Sequence, residues 1–404
     1  MTDVKKKHST LLKVGILSIS FMLQAASAIS VAVTGMMASF SNQSATSVQT
    51  LVTIPSFSIM LFILFDTWFV KKLGKRNTVF LGLALALIGG VGPAFVSNFT
   101  MIKVLRFIFG AGTGLYTPLA VSLIGDFFSG DEQKNLLGMQ SALSTFGSSF
   151  ATFVAGLLVG INWQSSYLVY LVLAPIFVLF YIGYPKHVEK SESAAEATTE
   201  KTNANTESGS KKLPLVVIVG MLMLFVYFNA VMALYTNSGL ALQQLKVSNQ
   251  GFLGTALAVS GLLGALIVMS YGPIFKVLKH ATPIAVCVVG AIGFIGMAHV
   301  PNMIMFTVYA VLISSTSLLI PYVYGTVLDS APDASKNFAI SMAMVLNNLG
   351  AYFSPYSLSY LGKLFGKTDA AFSFIICAGI MGVLAIVFII LMASRQHSSK
   401  AVKA

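Results

Sequence analysis

Apolar runs of about twenty residues recur along the whole chain, and that recurrence constrains the fold more than any other feature. A helix needs roughly 20 mostly apolar residues to cross a bilayer. Twelve such runs lie near 12–38, 47–70, 77–97, 101–125, 136–160, 165–184, 214–238, 249–274, 281–299, 303–327, 338–361 and 370–393. Only helices and closed barrels satisfy the backbone in lipid, and these runs are too long and too uniformly apolar for barrel strands. The 404 residues are 56% apolar and 9% charged, where soluble domains carry about 25% charged residues. A soluble chain of that composition would expose far too much apolar surface. This excludes a soluble enzyme, a nucleic-acid binder and a disordered scaffold. The expected class is an all-α membrane protein with twelve transmembrane helices.

The net charge of +12 does not restore the nucleic-acid reading, because the basic residues fall in short groups between apolar runs. That is the pattern of the positive-inside rule. With the N-terminus inside, 20 of the 25 Lys and Arg residues fall in cytoplasmic segments. Only Lys246, Lys363 and Lys367 fall outside, and Lys103 and Arg106 lie within the fourth run. The expected placement is therefore the plasma membrane, with both termini cytoplasmic. The Lys-rich start runs into a long apolar stretch without a small-residue cleavage site, which reads as a first span and not a signal peptide. Between 185 and 212 the composition turns polar, with five Lys, five Glu and no aromatic residue. Such a stretch cannot bury a core and reads as a flexible linker. It divides the chain into a six-helix bundle at 1–184, a cytoplasmic linker at 185–212 and a second six-helix bundle at 213–404.

The two halves repeat. A shift of 205 places Val14-Gly15 on Val219-Gly220, Gln24 on Asn229, Thr50 on Thr255 and Lys71 on Lys276. Past that loop a shift of 203 places Pro118 on Pro321, Asp126 on Asp329, Met139 on Met342 and Gly147 on Gly350. Coincidences of Pro, Asp, Lys and Gly at one shift carry weight that apolar ones do not, and parallel six-helix repeats are a transporter architecture.

With twelve spans, a central polar linker and a half-to-half repeat, the chain resembles the major facilitator superfamily over its whole length. In that family the loop after span 2 reads Gly-x-Leu-Ala-Asp-Arg-x-Gly-Arg-Lys. Here it reads Thr67-Trp68-Phe69-Val70-Lys71-Lys72-Leu73-Gly74-Lys75-Arg76. Gly74 and the basic tail match, while Lys71 stands at the family's Asp. The second copy, Gly272-Pro273-Ile274-Phe275-Lys276, again has Lys at that position. The resemblance implies a gating role for this loop, so Lys71, Gly74 and Lys276 are gate candidates. Asp66, about one turn earlier, is the candidate substitute for the missing gate Asp; the alternative is a carboxylate snorkelling to the inner surface. Span 4 carries Arg106-Phe107-Ile108-Phe109-Gly110-Ala111-Gly112-Thr113-Gly114, similar to the family's RxxxGxGxG. Its glycines read most simply as close helix packing.

Helical spacing puts Lys103, Arg106, Gly110, Thr113 and Thr117 on one stripe. Cations, threonines and no bulk suit a wet cavity. Lys103 is expected to snorkel outward. Arg106 is expected to face substrate, with bonding to backbone carbonyls as the alternative. The other candidate substrate contacts are Gln24, Asn229, Tyr227, Tyr309, Asn347, Asn348 and Thr113. Of these, the repeat pairs Gln24 with Asn229, and the resemblance places spans 1, 4, 7 and 10 around a central cavity. Each also reads as an interhelical hydrogen bond.

Cys287 and Cys377 lie inside apolar runs and imply neither disulfides nor a metal site. No HExxH motif and no mid-depth catalytic constellation occurs, so an enzyme is not expected, nor a cofactor or metal. Beyond Asp66, the carboxylates nearest the spans are Asp126 and Asp329 at cytoplasmic ends, and span 5 has Gly147-Ser148 where antiporters of the family carry Gly-Pro. Both points weigh against proton-driven drug export. The expected function is secondary transport of a small organic solute by alternating access, an organic anion being favoured by Arg106. The expected partners are that solute, a coupling proton or anion, and the bilayer, with a monomeric chain and no nucleic acid. The alternatives are multidrug efflux by proton antiport and a non-transporting receptor of the same fold.

Overall fold

The computed structural model describes residues 2–184, 213–332 and 335–401; the stretch read above as a linker, 185–212, lies outside them. All regular structure among the described residues is helical. Nine of the helices are long and apolar enough to cross a membrane, or ten when the bent pair Tyr271–Leu278 and Thr282–Ala298 counts as one span. One of the nine, Ala45–Phe95, has 51 residues, or about 77 Å at 1.5 Å per residue. That is more than twice a bilayer core of about 30 Å. Its break is Gly74, with φ 79° and ψ 160°, a backbone conformation that favours glycine. Dividing the helix there, and counting Lys336–Leu364, brings the described residues into line with twelve passages.

In chain order the helices are α1 (Thr2–Ser18), α2 (Val33–Ser39), α3 (Ala45–Val91), α4 (Phe99–Phe127), α5 (Gly130–Val159), α6 (Leu173–Gly183), α7 (Leu215–Val231), α8 (Ala233–Thr236), α9 (Ser238–Gln244), α10 (Leu253–Met269), α11 (Tyr271–Leu278), α12 (Thr282–Ala298), α13 (Met303–Ser315), α14 (Leu319–Ser330), α15 (Lys336–Leu364) and α16 (Ala370–Ala401). Several spans that read as continuous are locally broken. The first passes from α1 through 3-10 turns at Ile19–Met22 and Ala25–Ala32 before α2. The tenth changes to 3-10 winding at Thr316–Leu318.

Two compact units are resolved. Among the described residues, the first comprises 2–29, 51–184, 332 and 335–337; the second comprises 30–50, 213–331 and 338–401. In the first, α1 packs on α5 and α6. In the second, α12 packs on α13 and α16, and α7 on α14 and α16. The long helices bury some of their apolar residues and leave others bare. On α16, Phe374, Cys377, Met381 and Leu384 are buried while Val383, Ile386 and Ile390 are exposed. Helices apolar on both faces belong in lipid, so the chain is a multi-pass membrane protein.

Glycines set the closest approaches. A methyl at Gly147 on α5 would fall on the carbonyl oxygen of Phe21, and one at Gly350 on α15 would fall on that of Phe225. On α4, a methyl at Gly110 would meet Ser58 and the backbone of Pro55, and one at Gly112 would meet the backbone of Gly82 and Ala86. The glycines of span 4 thus serve close packing, the simplest reading of their spacing.

Candidate functional site

The polar interior of the first unit is built around Arg106. Asn98 caps α4, its side chain accepting from the Met101 amide at 3.0 Å, and Arg106 follows two turns on. The side chain is fully buried. Its Nε donates to the Leu51 carbonyl at 2.9 Å, Nη2 to the Ala26 carbonyl at 2.6 Å, and Nη1 to the Tyr170 hydroxyl at 3.2 Å. The Tyr170 hydroxyl in turn donates to the Ala25 carbonyl at 2.9 Å. Phe109, Tyr170 and Tyr167 surround the guanidinium, their ring centres 4.9, 5.6 and 5.9 Å away. The 3-10 winding of Ala25–Ala32 explains the acceptors, since its poorer hydrogen-bond geometry leaves carbonyls open to further donors. The glycines of α4 bring the α3 backbone close enough for Leu51 to be reached. Sequence reasoning missed Tyr170 and Tyr167; only their place in an otherwise apolar run marked them. Thr113 is also buried and turns back onto the Phe109 carbonyl at 3.0 Å. Lys103 is half-buried and Gln24 is exposed beside this node, its carbonyl accepting from Ser148 Oγ at 3.1 Å.

Among the described residues, the second unit buries no cation. Tyr227 is buried, its hydroxyl 3.0 Å from Thr316 Oγ1. Asn229 donates to Ser357 Oγ at 3.0 Å and to the Gly350 carbonyl at 3.3 Å. Asn347 donates to the Tyr324 hydroxyl at 2.9 Å, while its Oδ1 is buried without a partner. Asn348 turns back onto its own helix, donating to the Met344 carbonyl at 2.9 Å. Tyr309 is half-buried, its ring filling the space where a Gly296 side chain would stand. These residues find their partners inside the second unit. The structure joins Asn229 to the glycine of the repeat and Asn347 to Tyr324. Gln49 was not anticipated: its amide donates to Asn237 Oδ1 at 2.8 Å and to the Thr236 carbonyl at 3.1 Å, all inside the second unit.

The gate candidates separate in the same way. Lys71 and Lys276 are exposed. Asp66 is half-buried, and its Oδ1 is enclosed without a hydrogen-bond partner. The ion pair of the region lies elsewhere: Lys75, following the turn at Gly74, reaches Asp126 at the end of α4 at 2.9 Å. Arg76 is buried, donating to the Tyr184 carbonyl at 2.8 Å, with Phe80 and Tyr181 at 4.7 and 5.7 Å.

Comparison with known proteins completes the description. The family model of the Major Facilitator Superfamily matches residues 15–318. The isoprimeverose transporter of Lactiplantibacillus pentosus is 28% identical over 108 residues, 25% of this chain and 22% of that protein. The multidrug transporter protein MdtP of Bacillus subtilis (strain 168) is 27% identical over 109 residues, 27% of this chain and 20% of that protein. The chain thus matches about a fifth of the length of either relative. The crystal structure of the POT family transporter PepTSo superimposes with a TM-score of 0.72 over 97% of this chain and 98% of its own, at 14% identity. At that identity the likeness is one of fold.

Proposed function

Because the chain belongs to the major facilitator superfamily, we propose that it carries a small organic solute across the plasma membrane by alternating access, and that the solute offers hydrogen-bond donors. In this reading the halves 1–184 and 213–404 are the moving bundles, joined by the linker 185–212, with both termini cytoplasmic and the chain acting as a monomer. Alternating access needs two conformers that a ligand interconverts, and no bond chemistry.

The observation that carries the substrate class is the unmet acceptor at Asn347. Its amide nitrogen is held by Tyr324 while Oδ1 has no partner. A buried acceptor left unmet costs about 1–3 kcal/mol, so it favours a ligand O–H or N–H and repels a carboxylate. The organic anion expected from Arg106 draws less support. That guanidinium is fully buried and donates to two backbone carbonyls and a tyrosine, so its charge answers protein dipoles.

The test is a thermal-unfolding screen of the purified protein in detergent, against matched neutral polyols and sugars, carboxylates and lipophilic cations. A ligand of the folded state stabilises by about 2.7 kcal/mol at a hundredfold excess over its dissociation constant. Neutral hydroxyl-bearing solutes are expected to raise the midpoint, with the rise lost in Asn347→Leu. Carboxylates raising it alone would return the reading to an organic anion. Lipophilic cations raising it alone would replace it with drug export.

A further inference from the structure

At one end of the second unit, three features come together. The first is α11, a single amphipathic helix. Tyr271, Ile274, Phe275 and Leu278 recur at i, i+3, i+4 and i+7 and share a face, the first three half-buried, while Lys276, Val277 and Leu278 are exposed, Val277 to 81%. The helix meets α12 at 110°. With α12 spanning the bilayer, α11 therefore lies near the membrane plane, the posture of an interfacial helix.

The second feature is an open apolar cleft lined by Val216, Gly220, Met223, Tyr322, Phe388 and Met392. Aromatic rings join it to α11: Tyr271 to Phe275 at 5.6 Å, Phe275 to Tyr322 at 6.2 Å, and Tyr322 to Phe388 at 6.1 Å. The lining is apolar, and the hydroxyl of Thr326 at its edge is spent on the Tyr322 carbonyl at 3.0 Å. A polar solute finds little there, whereas a hydrocarbon chain does.

The third is charge. Lys276 closes the last turn of α11, and exposed Lys279 follows with φ 47°, a conformation that non-glycine residues adopt rarely and at a cost. The backbone is thus held in an unfavourable turn at a lysine. The N-terminus of α12 begins three residues later and adds positive potential.

We propose that this corner is a binding site for an anionic phospholipid, with Lys276 and Lys279 holding the headgroup phosphate and one acyl chain lying in the cleft below Tyr322. The complementarity is threefold: exposed cations on and just after α11, an apolar cleft joined to α11 by aromatic rings, and an amphipathic helix turned sharply away from α12.

The experiment measures the unfolding midpoint of the full chain in phosphatidylcholine nanodiscs with and without phosphatidylglycerol. Phosphatidylglycerol is expected to raise the midpoint by several degrees. The double substitution Lys276→Gln, Lys279→Gln should remove most of the rise while leaving the midpoint in phosphatidylcholine unchanged. Val216→Phe, which fills the cleft, should remove it with both lysines intact. Glycerol phosphate added to the detergent-purified protein should give no rise, separating a lipid from a free phosphate. A rise of the same size in the double variant, or one reproduced by glycerol phosphate, overturns the proposal. Native mass spectrometry provides a readout independent of stability: the double variant should retain fewer phosphatidylglycerol molecules than the parent, and equal retention would sink the idea even if Val216→Phe does not fold.

Discussion

The repeat makes the two units a controlled comparison. Gly147 and Gly350 stand at one shift, and each lets its helix touch a backbone carbonyl, Phe21 in one case and Phe225 in the other. The same shift of 203 sets Thr113 opposite Thr316 and Arg106 opposite Tyr309. The packing device was kept while the polar interior diverged. In the first unit a buried guanidinium binds one carbonyl of a 3-10 segment, Ala26, and one of α3, Leu51. In the second, neutral amides and hydroxyls bond one another. A charge in hydrocarbon is expensive, and the first unit bears it by turning backbone dipoles and three aromatic faces toward it. Backbone geometry is therefore the common element of the halves, and polar chemistry is where they specialise.

The largest effect is expected at Arg106. Arg106→Met removes three hydrogen bonds and strands the Leu51 and Ala26 carbonyls. Charged hydrogen bonds contribute about 1.5–3 kcal/mol each, so a loss of about 3 kcal/mol or more should appear in the unfolding midpoint in detergent. Arg106→Lys keeps the charge without the planar fork and should recover only part. Full stability of Arg106→Met would erase the contrast between the units. Next come the paired glycines: Gly147→Ala and Gly350→Ala each place a methyl on a carbonyl. Overpacking of this kind costs about 1–3 kcal/mol, and the two losses should match within about 1 kcal/mol if the device is shared. Asn229→Ala should cost about 1 kcal/mol, the ordinary worth of an interhelical hydrogen bond in a membrane. A cost at Asn229 equal to that at Arg106 would show that charge is not what distinguishes the two interiors.

The fold was legible because its causes are local and periodic. Twelve apolar runs, a polar stretch at 185–212 and the Pro, Asp and Gly coincidences of the repeat all lie in the chain itself. That the connection at Lys71–Arg76 is a sharp kink at Gly74, with helix on either side, was not legible, because a longer loop with basic residues has the same composition. The site was read less well, for a physical reason. The spacing of Arg106, Thr113 and Thr117 shows which face of α4 they share. It cannot show that the first span unwinds at Ala25 and offers carbonyls there, since AASAISVA contains no proline to announce the break. Tyr170, Gln49 and Asp126 gain their roles from partners 64, 188 and 51 residues away, a relation that no local pattern encodes.

The smallest stability effect is expected at Lys75, and it is the most informative about gating. Lys75 and Asp126 meet at 2.9 Å with side chains 15% and 27% exposed, near the surface, where ion pairs contribute about 0.2–1 kcal/mol. Lys75→Gln should therefore shift the unfolding midpoint little. The shift should shrink further in 1 M salt, where the Debye length falls to about 3 Å. The pair nonetheless ties the turn at Gly74 to the end of α4, and Lys71, at the family's acidic position, is exposed and cannot supply that tie. If the tie belongs to a gate, Lys75→Gln and Asp126→Asn should each change the rate of solute counterflow in vesicles well beyond their effect on stability. The double substitution should then do no more harm than either alone, since a pair broken once is broken. Additive losses, or rates that follow the midpoint, would reduce Lys75 and Asp126 to surface charges. The gate would then have to be sought at Asp66, where a buried carboxylate oxygen still lacks a partner.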